Sequence, residues 1–145
     1  MKGAGKTTIL KNLGQGEINT KPLIPNFPLQ SLQLKNIHFL SWDLDAHKND
    51  HYQSYRYLDN THKIILVVDS ADSERVSEAG RLLAALLKNH LLQDAPLLVL
   101  ANKQDAPDAL SIAEVSDRLS LNALQGRKWF IQPTSGRTSD GISDG

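Results

Sequence analysis

Ala101-Asn102-Lys103-Gln104-Asp105 places an amide, an ammonium and a carboxylate directly after the apolar run Pro96-Leu97-Leu98-Val99-Leu100. A short apolar run of this kind reads as a buried parallel strand. Polar groups just past its end sit at the carboxyl edge of a sheet, where open α/β folds bind ligands. The Asp105 carboxylate can accept two parallel N–H bonds, which fits the ring N–H and exocyclic amine of guanine. Adenine has no N–H at that ring nitrogen and would be rejected. Asn102 can offer its amide to the other edge of a purine, and the Lys103 stem can lie over the base or sugar. A solvated turn after a strand is the plainer alternative for this tetrapeptide alone.

At the other end, Met1-Lys2-Gly3-Ala4-Gly5-Lys6-Thr7-Thr8 carries most of a phosphate-binding loop. The pattern G-x-x-x-x-G-K-[ST] uses glycine so that backbone N–H groups can wrap an anion, a Lys for the β/γ-phosphates and a hydroxyl for Mg²⁺. Gly5, Lys6 and Thr7 supply its second half. The first glycine of the pattern would fall one position before Met1, and the apolar strand that leads into such loops is also missing, so the chain begins inside its own motif. An ordinary helix cap is the alternative for Gly5-Lys6-Thr7.

The elements that must position these groups follow from hydrophobic period and turn residues. Residues 6–15 read as a helix with Ile9, Leu10 and Leu13 on one face, ended by Gly14-Gln15-Gly16. Pro22, Pro25 and Pro28 make 17–28 an extended loop. Residues 29–44 read as a hairpin turning near Lys35-Asn36. The polar stretch 45–61 reads as a mobile loop running into a short helix. A second buried strand spans 63–69, followed by a helix capped by Asp72 or Ser73, with Val76, Ala79, Leu83, Leu86, Leu87 and His90 on its apolar face. A strand over 97–101, a helix near 111–119 and a last strand over 129–131 complete the alternation. The Ser/Gly/Asp-rich tail 133–145 carries no apolar stripe for a closing helix. Alternating strands and helices predict βαβ units in one doubly wound, mostly parallel α/β domain.

The bulk composition agrees. The chain has 145 residues, 40% of them hydrophobic, which suits one domain with a real core. Its 16 basic and 16 acidic residues cancel, leaving no footprint for nucleic acid or an anionic membrane. The absence of cysteine removes disulfides, thiolate catalysis and Cys-based zinc sites. No apolar run approaches a transmembrane span and no secretory signal precedes the first motif, so the sequence reads as soluble and cytosolic. Lys2 follows the initiator Met, so the glycine required for N-myristoylation is not at that position.

Several blocks together resemble a Ras-type small GTPase, and more narrowly the ADP-ribosylation-factor-like (Arf/Sar-type) branch. They are Gly3-Ala4-Gly5-Lys6-Thr7-Thr8-Ile9-Leu10, Lys35-Asn36-Ile37, Trp42-Asp43, Val67-Val68-Asp69-Ser70, Asp72-Ser73-Glu74-Arg75-Val76, Ala101-Asn102-Lys103-Gln104-Asp105 and Trp129-Phe130-Ile131-Gln132. They occur in family order and spacing over nearly the whole chain. The resemblance implies a P-loop NTPase-type fold over 1–145, a partial small GTPase (G) domain lacking the first strand and the final helix. It implies GTP or GDP with Mg²⁺ as ligands. Gly3, Ala4, Gly5, Lys6, Thr7 and Thr8 would surround the phosphates, and Asn102, Lys103 and Asp105 the base. Ser135 and Gly136 would form the last guanine loop, with a Gly136 N–H meeting the base oxygen. Thr7, and Asp43 through water, would hold Mg²⁺. It further implies protein effectors, exchange and activating factors, a place in vesicle trafficking, and a cytoplasmic protein in peripheral contact with endomembranes.

The switch regions depart from the family. Where such proteins carry Pro-Thr-Ile-Gly-Phe, this chain has Pro22-Leu23-Ile24-Pro25-Asn26-Phe27, with Thr20 the nearest preceding hydroxyl. Where they carry Trp-Asp-x-Gly-Gly-Gln, it has Trp42-Asp43-Leu44-Asp45-Ala46-His47. Asp45 adds negative charge beside a phosphate site, the Cβ of Ala46 restricts backbone approach, and His47 replaces the water-orienting Gln, as in the Sar branch. Binding with weak or absent hydrolysis is therefore expected, the alternative being a pseudo-GTPase that serves as an interaction module. His47 and His51 could share a helix face for a metal, but no third imidazole or thiolate completes such a site. Tyr52, Tyr55 and Tyr57 fit either a partner surface or the packing of a short helix. In the family the absent strand lies between 37–42 and 64–69, so 1–145 alone is expected to be poorly stable unless the Met1 end is a truncation artefact or a partner strand fills the gap.

Overall fold

The strand β5 (Leu97–Asn102) is buried on both faces, and the domain is built outward from it. A computed structural model of the chain describes residues 3–13, 18–19, 30–34, 36–41 and 58–142. β5 lies between β4 (Ile64–Asp69) and β6 (Trp129–Pro133), parallel to both. A central parallel strand has no solvated face, which is why its sequence is a continuous Leu/Val run rather than an alternation. β6 is an edge strand and tolerates Pro133 at its end for that reason.

The side-chain alternation of these strands divides the core in two. Leu66 and Val68 of β4, with Leu97, Val99 and Ala101 of β5, pack on one face against Val76, Ala79 and Leu83 and against Val115, Leu119 and Leu121. The first set of partners belongs to α2 (Ser73–Leu87), and Val115 to α3 (Ile112–Arg118). The opposite face presents Val67 and Leu100 to Ile9 of α1 (Lys6–Leu13), together with Ala4 and Ile142. Helices thus cover both faces, the doubly wound arrangement expected from the sequence. Each of the Val, Leu and Ile side chains among them contributes roughly 1.5–3 kcal/mol when fully buried.

Local signals explain where the helices start. Asp72 caps α2, its carboxylate accepting from Arg75 N at 3.1 Å. Ser111 and Glu114 form a reciprocal capping box on α3, at 3.2 and 2.8 Å. The Ser111 backbone and hydroxyl hold the Glu114 carboxyl below its ordinary range. Gly80 lets α2 approach α3: a Cβ built there would lie 2.6 Å from the Arg118 carbonyl oxygen.

The expected hairpin is present as β2 (Gln30–Leu34) and β3 (Ile37–Ser41), antiparallel, with Leu34 opposite Ile37. It forms a separate three-stranded sheet with β1 (Ile18–Asn19), a strand inside the stretch expected to be loop. No described strand joins β3 to β4. Two further expectations need adjustment. His90 does not extend the apolar face of α2; it opens a short 3-10 turn, His90–Leu92, and is exposed. The last strand continues to Pro133 rather than stopping at residue 131. The polar stretch 45–57, with His51, Tyr52, Tyr55 and Tyr57, lies outside the described residues. No described helix is long and apolar enough to cross a membrane.

Candidate functional site

The carboxyl ends of β4 and β5 and the loop after β6 meet the start of α1, and Asn102 joins them. Asn102 is the last residue of β5 and is 2% exposed. Its amide donates to the Ala4 carbonyl at 2.8 Å. Its carbonyl oxygen accepts from the Gly136 backbone N–H at 2.9 Å and from the Thr134 hydroxyl at 3.2 Å. One buried side chain therefore ties the loop at residues 3–5 to the loop after β6.

The loop before α1 has the backbone an anion cradle needs. Gly3 and Gly5 have φ of 77° and 97°, a region that L side chains rarely adopt. Gly5 carries a second constraint, because a Cβ there would overlap the Asn102 amide nitrogen. The Gly5 carbonyl accepts the first α-helical bond, from Ile9 N at 2.9 Å, so α1 begins directly beyond the loop. Lys6, Thr7 and Thr8 occupy the first turn, Lys6 half-buried and both threonines exposed. The positive end of the helix and the N–H groups of this turn favour an anion placed over it.

Past β5 the chain turns sharply. Lys103 is a non-glycine residue at φ 64°, and its carbonyl accepts from Ala106 N at 3.0 Å. Its ammonium lies 2.6 Å from the Asp69 carboxylate at the end of β4. Gln104 reaches back to the Ser70 hydroxyl at 2.9 Å and the Leu110 carbonyl at 3.2 Å, bracing the turn against the start of α2. Asp105 is exposed, and one of its oxygens accepts from the Ser135 hydroxyl at 2.8 Å. That bond orients the carboxylate, and each of its oxygens keeps a lone pair for a ligand.

The loop after β6 is closed on itself and on α1. Ser135 N donates to the Asp140 carbonyl at 3.0 Å, and Thr138 N to the Ser135 hydroxyl at 3.2 Å. Asn12 of α1 donates to the Gly136 carbonyl at 2.8 Å. Ile142 then returns to the core beneath Ala4 and Ile9, so the tail read as lacking a stripe still supplies one buried anchor.

The residues singled out at 3–8, 102, 103, 105, 135 and 136 thus converge on one edge of the parallel sheet. Two contacts go beyond the sequence reading: Asn102 directs one of its two amide N–H groups to Ala4, and Gly136 directs its N–H to the Asn102 carbonyl oxygen. Asp43 and His47, with Thr20, Asp45 and Ala46, lie outside the described residues. Sequence reasoning gave no separate role to Asp69, Thr134 or Asn12. The parallel register that sets Asp69 beside Asn102 is the signal that would have found the first of them.

A cavity of about 470 Å³ lies elsewhere, near Leu87, His90, Asp94, Gly126 and Arg127, where the strands begin. Its guanidinium is already bonded to the carbonyls of Leu92 and Ala95. The carboxyl edge, with its glycine loop and oriented carboxylate, is the candidate site. A model of the ADP-ribosylation factor family (Arf) matches residues 1–145, the full length of the chain.

Proposed function

The chain belongs to the ADP-ribosylation factor family and is a small-GTPase-like nucleotide-binding switch; from that premise we propose that it binds guanine nucleotide, favours GDP over GTP, and hydrolyses GTP weakly or not at all. The observation that carries the reading is the Asn102 junction, which holds a glycine loop suited to phosphates and an Asp105 carboxylate suited to guanine on one frame.

In this reading the loop Gly3-Ala4-Gly5 and the first turn of α1 cradle the phosphates, with Lys6 at the β/γ position. Asp105, oriented by Ser135, pairs with the two guanine N–H donors, and the Lys103 stem lies along the base. The exposed Thr7 hydroxyl fits a Mg²⁺ ligand, with Asp43 as the residue that would reach the ion through water. A Mg²⁺ ion held there would supply positive charge to offset that of the phosphates. His47 would orient the attacking water. Asp45, Ala46 and the missing switch threonine act against the γ-phosphate, because each removes or opposes an oriented contact where charge develops. These same departures favour a second reading, a pseudo-GTPase that binds partners without turnover. Effectors and exchange or activating factors are the protein partners in either case, with peripheral rather than spanning membrane contact.

The test is a comparison of nucleotides on the unmutated chain. Nucleotide released from purified protein is identified by HPLC, and GDP, ADP and a non-hydrolysable GTP analogue are titrated by calorimetry. GDP is expected to bind at least as tightly as the analogue, and ADP far more weakly. Equal binding of GDP and ADP would sink the guanine reading, and a tenfold preference for the triphosphate analogue would sink the GDP-biased one.

A further inference from the structure

We propose that Asp69 is a positioning residue for the purine, acting on bound guanine nucleotide through Lys103; the proposal rests on the guanine reading above. Asp69 and Asn102 are paired in register at the ends of β4 and β5. One residue on, the left-handed backbone of Lys103 sends its side chain across the sheet edge to β4, where the ammonium meets Asp69 Oδ2 at 2.6 Å. Asp69 is itself a fixed point. Its other carboxylate oxygen accepts from Ala71 N at 3.0 Å and its carbonyl from Asp72 N at 3.1 Å. Its side chain is 19% exposed against 42% for that of Lys103.

The Lys103 stem is therefore held at both ends, by the turn at its Cα and by the carboxylate at its Nζ. Between them the row of methylenes stays partly exposed, two residues before the Asp105 carboxylate that would read the base. An unrestrained lysine must give up rotamer freedom when a flat ligand settles against it, and a tethered one has already done so. Neutralising the ammonium also removes it as a phosphate ligand, so its stem serves the base as an apolar wall. Asp69 reaches no nucleotide in this arrangement and works only by holding Lys103.

A double-mutant cycle on the full chain separates this from the support Asp69 gives to the start of α2. Dissociation of a fluorescent GDP analogue is measured for the unmutated protein, Asp69→Ala, Lys103→Met and the double variant. Methionine keeps an apolar stem but loses the tether. Each single change is expected to speed dissociation by about fivefold, the double no further than either, because both remove one preorganising contact. Melting temperatures measured alongside report the Ala71 contact, which should fall with Asp69→Ala in both Lys103 backgrounds. An Asp69→Ala rate equal to the unmutated one, or additive effects on dissociation, would overturn the positioning role while leaving guanine binding standing. An unmutated chain that binds no GDP overturns both.

Discussion

Asn102 satisfies three contacts from one buried amide: the Ala4 carbonyl, the Gly136 N–H and the Thr134 hydroxyl. Backbone groups so enclosed have no water to turn to, so truncating the amide strands them in place. Asn102→Ala is expected to destabilise the chain by about 3 kcal/mol, since each stranded buried group costs ~1–3 kcal/mol. A denaturant midpoint unchanged in Asn102→Ala would show that the junction does not hold the edge together. The place of Asp105 at the sheet edge was legible in the sequence because the apolar run before it reads as a buried strand ending at that point. The bracing role of Asn102 was not, because donor and acceptor of an amide serve a ligand or a backbone equally well until the partner loops are placed. Asp69 was hidden for a related reason: it lies 34 residues from Lys103, and only the parallel register of β4 and β5 brings the two together.

At the scale of elements, β5, α2 and α3 could be read directly, since each carries its own punctuation: an unbroken apolar run, Asp72, and the Ser111–Glu114 box. Short pieces without such marks were missed. β1 has two residues and exists by pairing with Ser31 and Leu32, a contact no local pattern announces. The 3-10 turn at His90–Leu92 interrupts a helical period that composition alone would have continued. Helix-on-helix distance is likewise a tertiary matter. Gly80 is an unfavourable residue for a helix interior, yet α2 uses it to let the α3 end come close. Gly80→Ala is therefore expected to destabilise the fold by about 1–3 kcal/mol through overpacking, although alanine is the better helix former. Thermal unfolding measures the sign: a raised melting temperature would mean that propensity outweighs the approach to Arg118.

Across the whole molecule, the two faces of the parallel sheet are unequally covered. The face under α2 and α3 is closed by a continuous apolar cluster. Among the described residues, Ala4, Ile9, Leu13 and Ile142 close only part of the face under α1. Along it Ile65 and Phe130, in line with Leu98 between them, are 42% and 62% exposed. Among the described residues, Ala4, Ile9, Leu13 and Ile142 join α1 and the loop before it to this face, so each is expected to affect ligand binding as well as stability. Ile142 is the critical one, since it ties the loop after β6 to Ala4 and Ile9 and is 4% exposed. Ile142→Ala is expected to cost about 2 kcal/mol, near the low end for a buried isoleucine because the open face allows some collapse. The same substitution should speed GDP dissociation, since Ala4 carries the carbonyl that anchors the Asn102 junction. Phe130→Ser serves as the control: it removes an exposed side chain from the same face and should leave both quantities nearly unchanged. If Ile142→Ala lowered the melting temperature while nucleotide dissociation stayed at the unmutated rate, the core beneath α1 would be energetically separate from the site above it.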